Sequence, residues 1–410
     1  MLEDPTSMTL GEVLAAVAEA RPHEPALLSE NIELTWSELD AEVNRLARLL
    51  LDVGVAHGDV VGFMIAKRPE VVTGFLACAR IGAIMAPINF KLHPDHVRDQ
   101  LVTAGIQTVI VESAYDELLS SLLPELSNPR RIIYIGGDGR YGKSHTGQEV
   151  SAIALPDSGI GPETPCYLNY TSGTTGRPKG AITTHRNILE NAVSTIDGLG
   201  FRETDIFLGM FSVFAHPHEL FHRSIVVGGP FVILDTMSPR IIARAVERWG
   251  VTWMMAVPSF YEMMLDYAQP RDGRESPKTS YDLGSLRVLE SGGAYVGADT
   301  LNRMEALFGA CFLPVWGCTE ATGVALANGP EQRSPGATGR PVAGYDVAVV
   351  DGQGRPVPLG ETGELIIRGP SVAHGYINNP DETAALFKDG WYYTCDLVTQ
   401  DETGFISFQG

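Results

Sequence analysis

The chain has 410 residues, too many for one small core and enough for roughly two to four domains or subdomains. Hydrophobic residues make up 44% and charged residues 20%, a globular balance that argues against a disordered or coiled-coil chain. A formal charge of −20 argues against sequence-independent binding to DNA or RNA, but not against a nucleotide held by a few local cations and backbone N–H groups.

The start, MLEDPTSMTL, has neither the basic opening nor the apolar core of a signal peptide. The five cysteines (Cys78, Cys166, Cys311, Cys318 and Cys395) are scattered and never spaced as C-x-x-C, which fits reduced thiols in the cytoplasm. The longest apolar stretch, residues 71–90, contains Arg80, two glycines and Pro87. It reads as a buried helix running into a strand rather than a transmembrane segment.

Along the chain, Thr9-x-x-Glu12 and Thr35-x-x-Glu38 read as capping boxes, in which a hydroxyl and a carboxylate satisfy the first helical N–H groups. After the second, Leu39, Val43, Leu46 and Leu50 share one face and Gly54 is placed to stop the helix. Residues 60–65 read as a strand, 70–79 as a helix and 83–88 as a second strand, a βαβ unit. The rhythm continues through TVIVES at Thr108, RIIYI at Arg131, FVILD at Phe231, VTWMMAV at Val251 and LRVLE at Leu286, with helices expected over 241–249 and 260–267. Short β-rich runs interleaved with helices predict two doubly wound, largely parallel sheets covered on both faces, an α/β core over residues 1–335. From residue 336 the runs VAVV, ELIIR, WYYTC and FISF are separated by short turns, with one brief helical patch near Glu382. Residues 336–410 therefore read as a small antiparallel β subdomain.

Two glycine-rich loops compete for phosphate. One is a Walker A string, Gly137-x-x-x-x-Gly142-Lys143-Ser144, after the strand RIIYI, with Asp235 closing a candidate partner motif. Gly147 and Pro156 interrupt the helix that should follow it. The other begins at Thr171 and reads Thr171-Ser172-Gly173-Thr174-Thr175-Gly176-Arg177-Pro178-Lys179-Gly180, after the strand CYLNY. Its hydroxyls, flexible glycines and two cations all suit phosphate oxygens.

This second string resembles the phosphate loop of the adenylate-forming superfamily: acyl- and aryl-CoA synthetases, peptide-synthetase adenylation domains and luciferases. The resemblance continues in order. Ser291-Gly292-Gly293-Ala294 resembles the turn on which that family rests adenine. Trp316-Gly317-Cys318-Thr319-Glu320 resembles the segment whose aromatic ring stacks on adenine, whose Thr contacts the α-phosphate and whose Glu binds magnesium, with Trp316 where Tyr is usual. Gly363-Glu364-Leu365 and Gly369 resemble a bracing strand pair. Tyr393-Thr394-Cys395-Asp396 resembles the element whose Asp accepts the ribose hydroxyls, with Cys395 where Gly is common.

Phe214, Ala215 and His216 fall where the family lines its acyl pocket. Ala215 stands where peptide-synthetase domains place an Asp for the substrate's α-ammonium. With His218 and Arg223, His216 hints at a polar acyl group.

The resemblance implies ATP-dependent activation of a carboxylic acid as acyl-AMP, release of pyrophosphate, and transfer to a thiol, most often coenzyme A. ATP, Mg2+ and coenzyme A are the implied ligands, and a homo-oligomer is compatible with the sequence. Lys179 and the loop would meet the β- and γ-phosphates, and Thr319 with Glu320 and magnesium the α-phosphate. The family's C-terminal domain, which supplies a catalytic lysine, is not recognised in these residues, so weak turnover is expected. The alternatives are a P-loop NTPase using residues 137–144 and a nucleotide- or acyl-binding module without turnover.

Overall fold

Both capping boxes form. Thr9 caps the helix Leu10–Ala20 and Thr35 caps Trp36–Asp52, each hydroxyl accepting from the N3 backbone while Glu12 or Glu38 accepts from the cap N–H. The computed structural model describes residues 3–125, 131–140, 144, 159–171, 179–268, 281–294, 296–334 and 336–409. The βαβ unit is present as the strand Val60–Met64, the helix Pro69–Arg80 and the strand Ile84–Pro87, whose strands pair in parallel. The apolar stretch is thus a buried helix and strand, and no described helix is long and apolar enough to cross a membrane.

Three sheets organise the chain. The first has six strands in the order Arg131–Ile135, Thr108–Glu112, Val60–Met64, Ile84–Pro87, Pro165–Thr171 and Lys179–Thr184. Only its last pair is antiparallel. The second has nine strands. Its middle runs in parallel through Cys311–Cys318, Val288–Ser291, Trp253–Ala256, Phe207–Met210, Phe231–Val232 and Pro25–Leu28, with antiparallel strands at both ends. The third is antiparallel, built on Asp346–Val350, Gly363–Arg368 and Trp391–Gln400, with Phe387–Lys388 and Ile406–Phe408 on the last of these.

The layering follows from which faces are apolar. One hydrophobic cluster joins the inner faces of the two large sheets through the helices at 10–20, 36–52, 69–80 and 185–199, and Trp36, Phe75 and Phe221 are fully buried in it. A second lies on the outer face of the nine-stranded sheet under Pro239–Trp249, Pro258–Ala268 and Ala298–Phe308. A third covers the outer face of the six-stranded sheet under Pro94–Thr103 and Asp116–Leu122. Each fully buried Leu, Val or Phe stabilises by about 1.5–3 kcal/mol before conformational entropy is counted. These layers fix the direction of the parallel strands, and so fix where their ends converge.

Candidate active site

In open parallel sheets, ligands bind beyond the carboxyl ends of the strands. Four adjacent strands of the nine-stranded sheet end together here. Phe211 follows Phe207–Met210, Val257 follows Trp253–Ala256, Gly292 and Gly293 follow Val288–Ser291, and Gly317 lies near the end of Cys311–Cys318. All of them line one cavity of about 250 Å3, which Ala215, His216 and Glu219 also enter. Ala294, on the far side of the same turn, lines a second cavity of about 480 Å3, and Val315 borders both. Phe214 points elsewhere. It packs edge-on against Phe90, with ring centroids 4.8 Å apart, and lines a third cavity of about 540 Å3 with Lys67, Lys91 and Asp235. Burial lowers Lys67 to about 8 against the opposing pull of Asp235, and its ammonium donates to the Gly209 carbonyl at 3.0 Å.

The two ends of the phosphate-loop string lie on paired antiparallel strands. Thr171 closes one strand, Lys179 opens the other, and the two are register partners. Ser172, Gly173, Thr174, Thr175 and Gly176 lie outside the described residues. Lys179 is largely buried, donates to Glu382 at 2.6 Å and lies 5.6 Å from the Tyr376 ring centroid. Two residues before the loop, Asn169 donates to the Thr319 hydroxyl at 3.3 Å, so the hairpin of one sheet meets the strand end of the other.

Thr319 and Glu320 occupy the turn between Cys311–Cys318 and Gly323–Ala327. Gly317 is needed there, because a Cβ would come within 2.1 Å of the Gly323 carbonyl oxygen. Glu320 is 5% exposed. Its carboxylate accepts from the Tyr376 hydroxyl, and its carbonyl accepts from the Ala373 N–H at 2.7 Å.

Asp396 closes this side. Burial raises its carboxyl, while the Trp316 indole N–H donates to it and Glu320 and Glu364 add repulsion. The Trp316 ring packs against Phe408 at 5.6 Å, tilted by 33°. Cys395 has φ +63°, the left-handed region that favours glycine, so a cysteine at this position carries backbone strain.

Lys179, Thr171, Thr319, Glu320, Trp316 and Asp396 are thus brought to one region, with the turn Gly292–Gly293–Ala294 beside it. Sequence reading missed the residues that hold them there, Asn169, Tyr376 and Glu382, and Glu219 in the cavity wall beside them. Only Glu219 carried a local signal, the dense titratable run His216-Pro217-His218-Glu219. Arg223, read as part of a polar acyl pocket, is committed elsewhere. It makes a two-pronged ion pair with Glu290 at 2.8 and 3.0 Å, both side chains buried, beneath the Trp253 ring.

Of the competing Walker string, Gly142 and Lys143 lie outside the described residues. The Ser144 N–H donates to the Asp138 carboxylate at 2.8 Å. Its intended partner Asp235 lines the third cavity, beside Lys67.

The sequence matches the family of AMP-binding enzymes over residues 14–377. It is 32% identical over 401 residues to a feruloyl-CoA synthase of Amycolatopsis sp, covering 95% of this chain and 76% of that protein. It is 30% identical over 409 residues to an indoleacetate–CoA ligase of Aromatoleum aromaticum, covering 98% and 78%. The fold superposes on an anthranilate CoA ligase, AuaEII, in complex with anthranoyl-AMP, with a TM-score of 0.91 and 26% identity over 99% of this chain and 78% of that one. The chain belongs to the AMP-binding enzyme family, the adenylate-forming ligases. It is an AMP-forming acid–thiol ligase, with ATP and coenzyme A as co-substrates, and nothing in these likenesses supports the P-loop alternative.

Proposed function

We propose that the acid activated is an aromatic carboxylic acid without an α-ammonium group, and that the residues gathered above carry the roles their positions suggest. The observation that carries this is the cavity of about 250 Å3 at the convergent strand ends, beside Thr319 and Glu320. An apolar cavity of about 150 Å3 suffices for benzene, so this one suits a substituted ring better than a long alkyl chain. Ala215 at its rim offers no anion for an ammonium group. The feruloyl-CoA, indoleacetate–CoA and anthranilate CoA ligases to which the chain is similar support an aromatic acid.

Thr171, Ser172, Gly173, Thr174, Thr175, Gly176 and Lys179 hold the β- and γ-phosphates; Thr319 hydrogen-bonds the α-phosphate. Glu320 supplies the single carboxylate that magnesium wants when phosphate oxygens and water complete its shell. Trp316, with Gly292, Gly293, Ala294 and Gly317, receives adenine, and Asp396 the ribose hydroxyls. Magnesium, when bound, neutralises charge on the phosphates; the chain's own part is to position the acid and the α-phosphate in line.

The same reading divides the chain into an α/β core over 1–335, carrying the loop and the cavity, and a β subdomain over 336–410, contributing Tyr376, Glu382 and Asp396. A cytoplasmic location, where ATP and coenzyme A are both available, is part of the same proposal.

ATP–pyrophosphate exchange across aryl acids, medium-chain acids and free α-amino acids tests the proposal, with aryl acids expected to give the highest kcat/KM. Superior exchange with α-amino acids would overturn it.

A further inference from the structure

We infer that Glu219, together with His216, forms a hydrogen-bonding end to the acyl cavity and selects acids whose ring carries a neutral polar substituent, such as a phenolic hydroxyl. This rests on the aromatic-acid reading above and deepens it.

Glu219 lines the 250 Å3 cavity and is only 5% exposed, yet among the described residues lining it none is a cation that would answer its charge. Arg223, four residues on, is already bound through two nitrogens to Glu290. The position of the carboxylate is tight. Gly323 has φ +117°, and a Cβ there would lie 2.7 Å from Glu219 Oε1, so only glycine lets this carboxyl reach the cavity wall. Such a carboxyl, in a wall that also carries Phe211, Met255, Val257 and Val315, costs desolvation free energy that packing alone does not explain.

The groups around it are held neutral. Burial pushes Glu219 up to about 8; Arg223 pulls it down, Glu290 pushes it further up, and a hydrogen bond from the Val324 backbone pulls down again. Burial lowers His216 to about 4 and His218 to about 3, with His216 adding to the effect on His218, and burial with Arg223 lowers His222 well below its ordinary value. At neutral pH the carboxyl therefore has one O–H to donate and a C=O to accept. His216 Nδ1, also buried, has no partner among the described residues. His218 and His222 are engaged on one nitrogen each, with the Thr322 carbonyl at 3.0 Å and the Asn191 amide oxygen at 3.3 Å. Glu219 and His216 are thus the two side chains of this cluster that line the cavity. A neutral hydroxyl satisfies both without moving a proton. A hydrocarbon ring would leave the Glu219 O–H and His216 Nδ1 without a partner, the situation in which a site discriminates hardest against the analogue lacking the polar group.

Pyrophosphate release by the full chain should be compared for benzoate, 3- and 4-hydroxybenzoate and 4-(aminomethyl)benzoate at pH 7. The best hydroxybenzoate is expected to exceed benzoate in kcat/KM by about 100-fold. Glu219→Gln, which keeps a neutral donor and acceptor, should retain most of that ratio, whereas Glu219→Leu should bring it to about one; thermal melts would verify that both variants fold. A wild-type ratio near one overturns the inference without reference to any variant. Preference for the aminomethyl acid, lost in Glu219→Gln, also overturns it, because Glu219 would then be pairing as an anion. Pyrophosphate release with medium-chain acids but no benzoate would sink the aromatic-acid reading instead, a separable result.

Discussion

Glu320 and Asp396 reach the same small region from segments that are distant in sequence, and on the proposed reading each serves the nucleotide with its carboxylate. Removing either should therefore weaken MgATP or acyl-AMP binding by about 1–3 kcal/mol, the scale of a lost charge-assisted contact. Lys143→Ala should leave binding unchanged, because on the proposed reading the phosphates lie against the loop ending at Lys179 instead. Titrations in which Lys143→Ala abolished binding while Glu320→Ala did not would reverse the assignment. Lys179 poses a second question at this scale, since its ammonium is occupied by Glu382 at 2.6 Å before any phosphate arrives. To meet a phosphate, Lys179 must leave that partner or share it. Glu382→Gln removes the competitor and should tighten ATP binding by about two- to fivefold, the worth of a modest ion pair. Lys179→Ala should weaken it. Calorimetry on both variants decides the point, and weaker binding in Glu382→Gln would mean that the carboxylate orients Lys179 rather than competing for it.

At the scale of elements, the strongest local signals were the ones that formed. The boxes at Thr9 and Thr35 were legible because a cap is a four-residue event, and the βαβ unit because period-2 and period-3.6 patterns alternate within thirty residues. A third box went unread. Thr184 caps the helix His185–Leu199 with Asn187, not Glu or Gln, at N3. Asn187 also donates to the carbonyls of Pro370 at 2.6 Å and Val372 at 3.2 Å, tying the small antiparallel sheet to the core. Asn187→Ala removes a cap and strands two carbonyls, so it should cost about 2–4 kcal/mol, against about 1 kcal/mol for Thr35→Ala at an exposed box. Urea midpoints of the two variants test this, and equal losses would show that the tie across the sheets contributes nothing. What stayed illegible at the site has the same cause. Glu320 meets Tyr376 across 56 residues, Asn169 meets Thr319 across 150 and Lys179 meets Glu382 across 203. No periodicity reports such pairs, and Glu219 could be recognised as buried only once the Gly323 turn was seen against it.

For the molecule as a whole, the buried histidines set how stability depends on pH. His185 is fully buried, and its Nδ1 accepts from the Leu10 N–H at 3.1 Å, so a neutral ring ties the first helix to the helix His185–Leu199. Burial lowers it to about 4, as it lowers His216 to about 4 and His218 to about 3, and His222 is lowered by burial and by Arg223. In the unfolded chain these rings bind protons near 6.5, so between there and about 4 the unfolded state holds more protons and stability is lost as pH falls. Glu219 acts with the opposite sign. Its native value of about 8 lies above the unfolded value near 4.5, so the folded state keeps a proton that the unfolded state has released, and stability falls as pH rises through that window. Below about pH 7 the four histidines outweigh one carboxyl; above it, where the unfolded histidines have largely lost their protons, Glu219 dominates. Each unbalanced proton is worth on the order of 1.4 kcal/mol per pH unit. The expected curve therefore peaks near pH 7, with a steep acid limb and a shallow fall toward pH 8. Urea denaturation at half-unit intervals from pH 5 to 8 measures it, and Glu219→Gln should abolish the shallow limb while leaving the steep one. A midpoint still rising between pH 7 and 8 in the wild type would show that Glu219 is ionised in the folded protein, and the neutral cavity end argued from it would fall with that result.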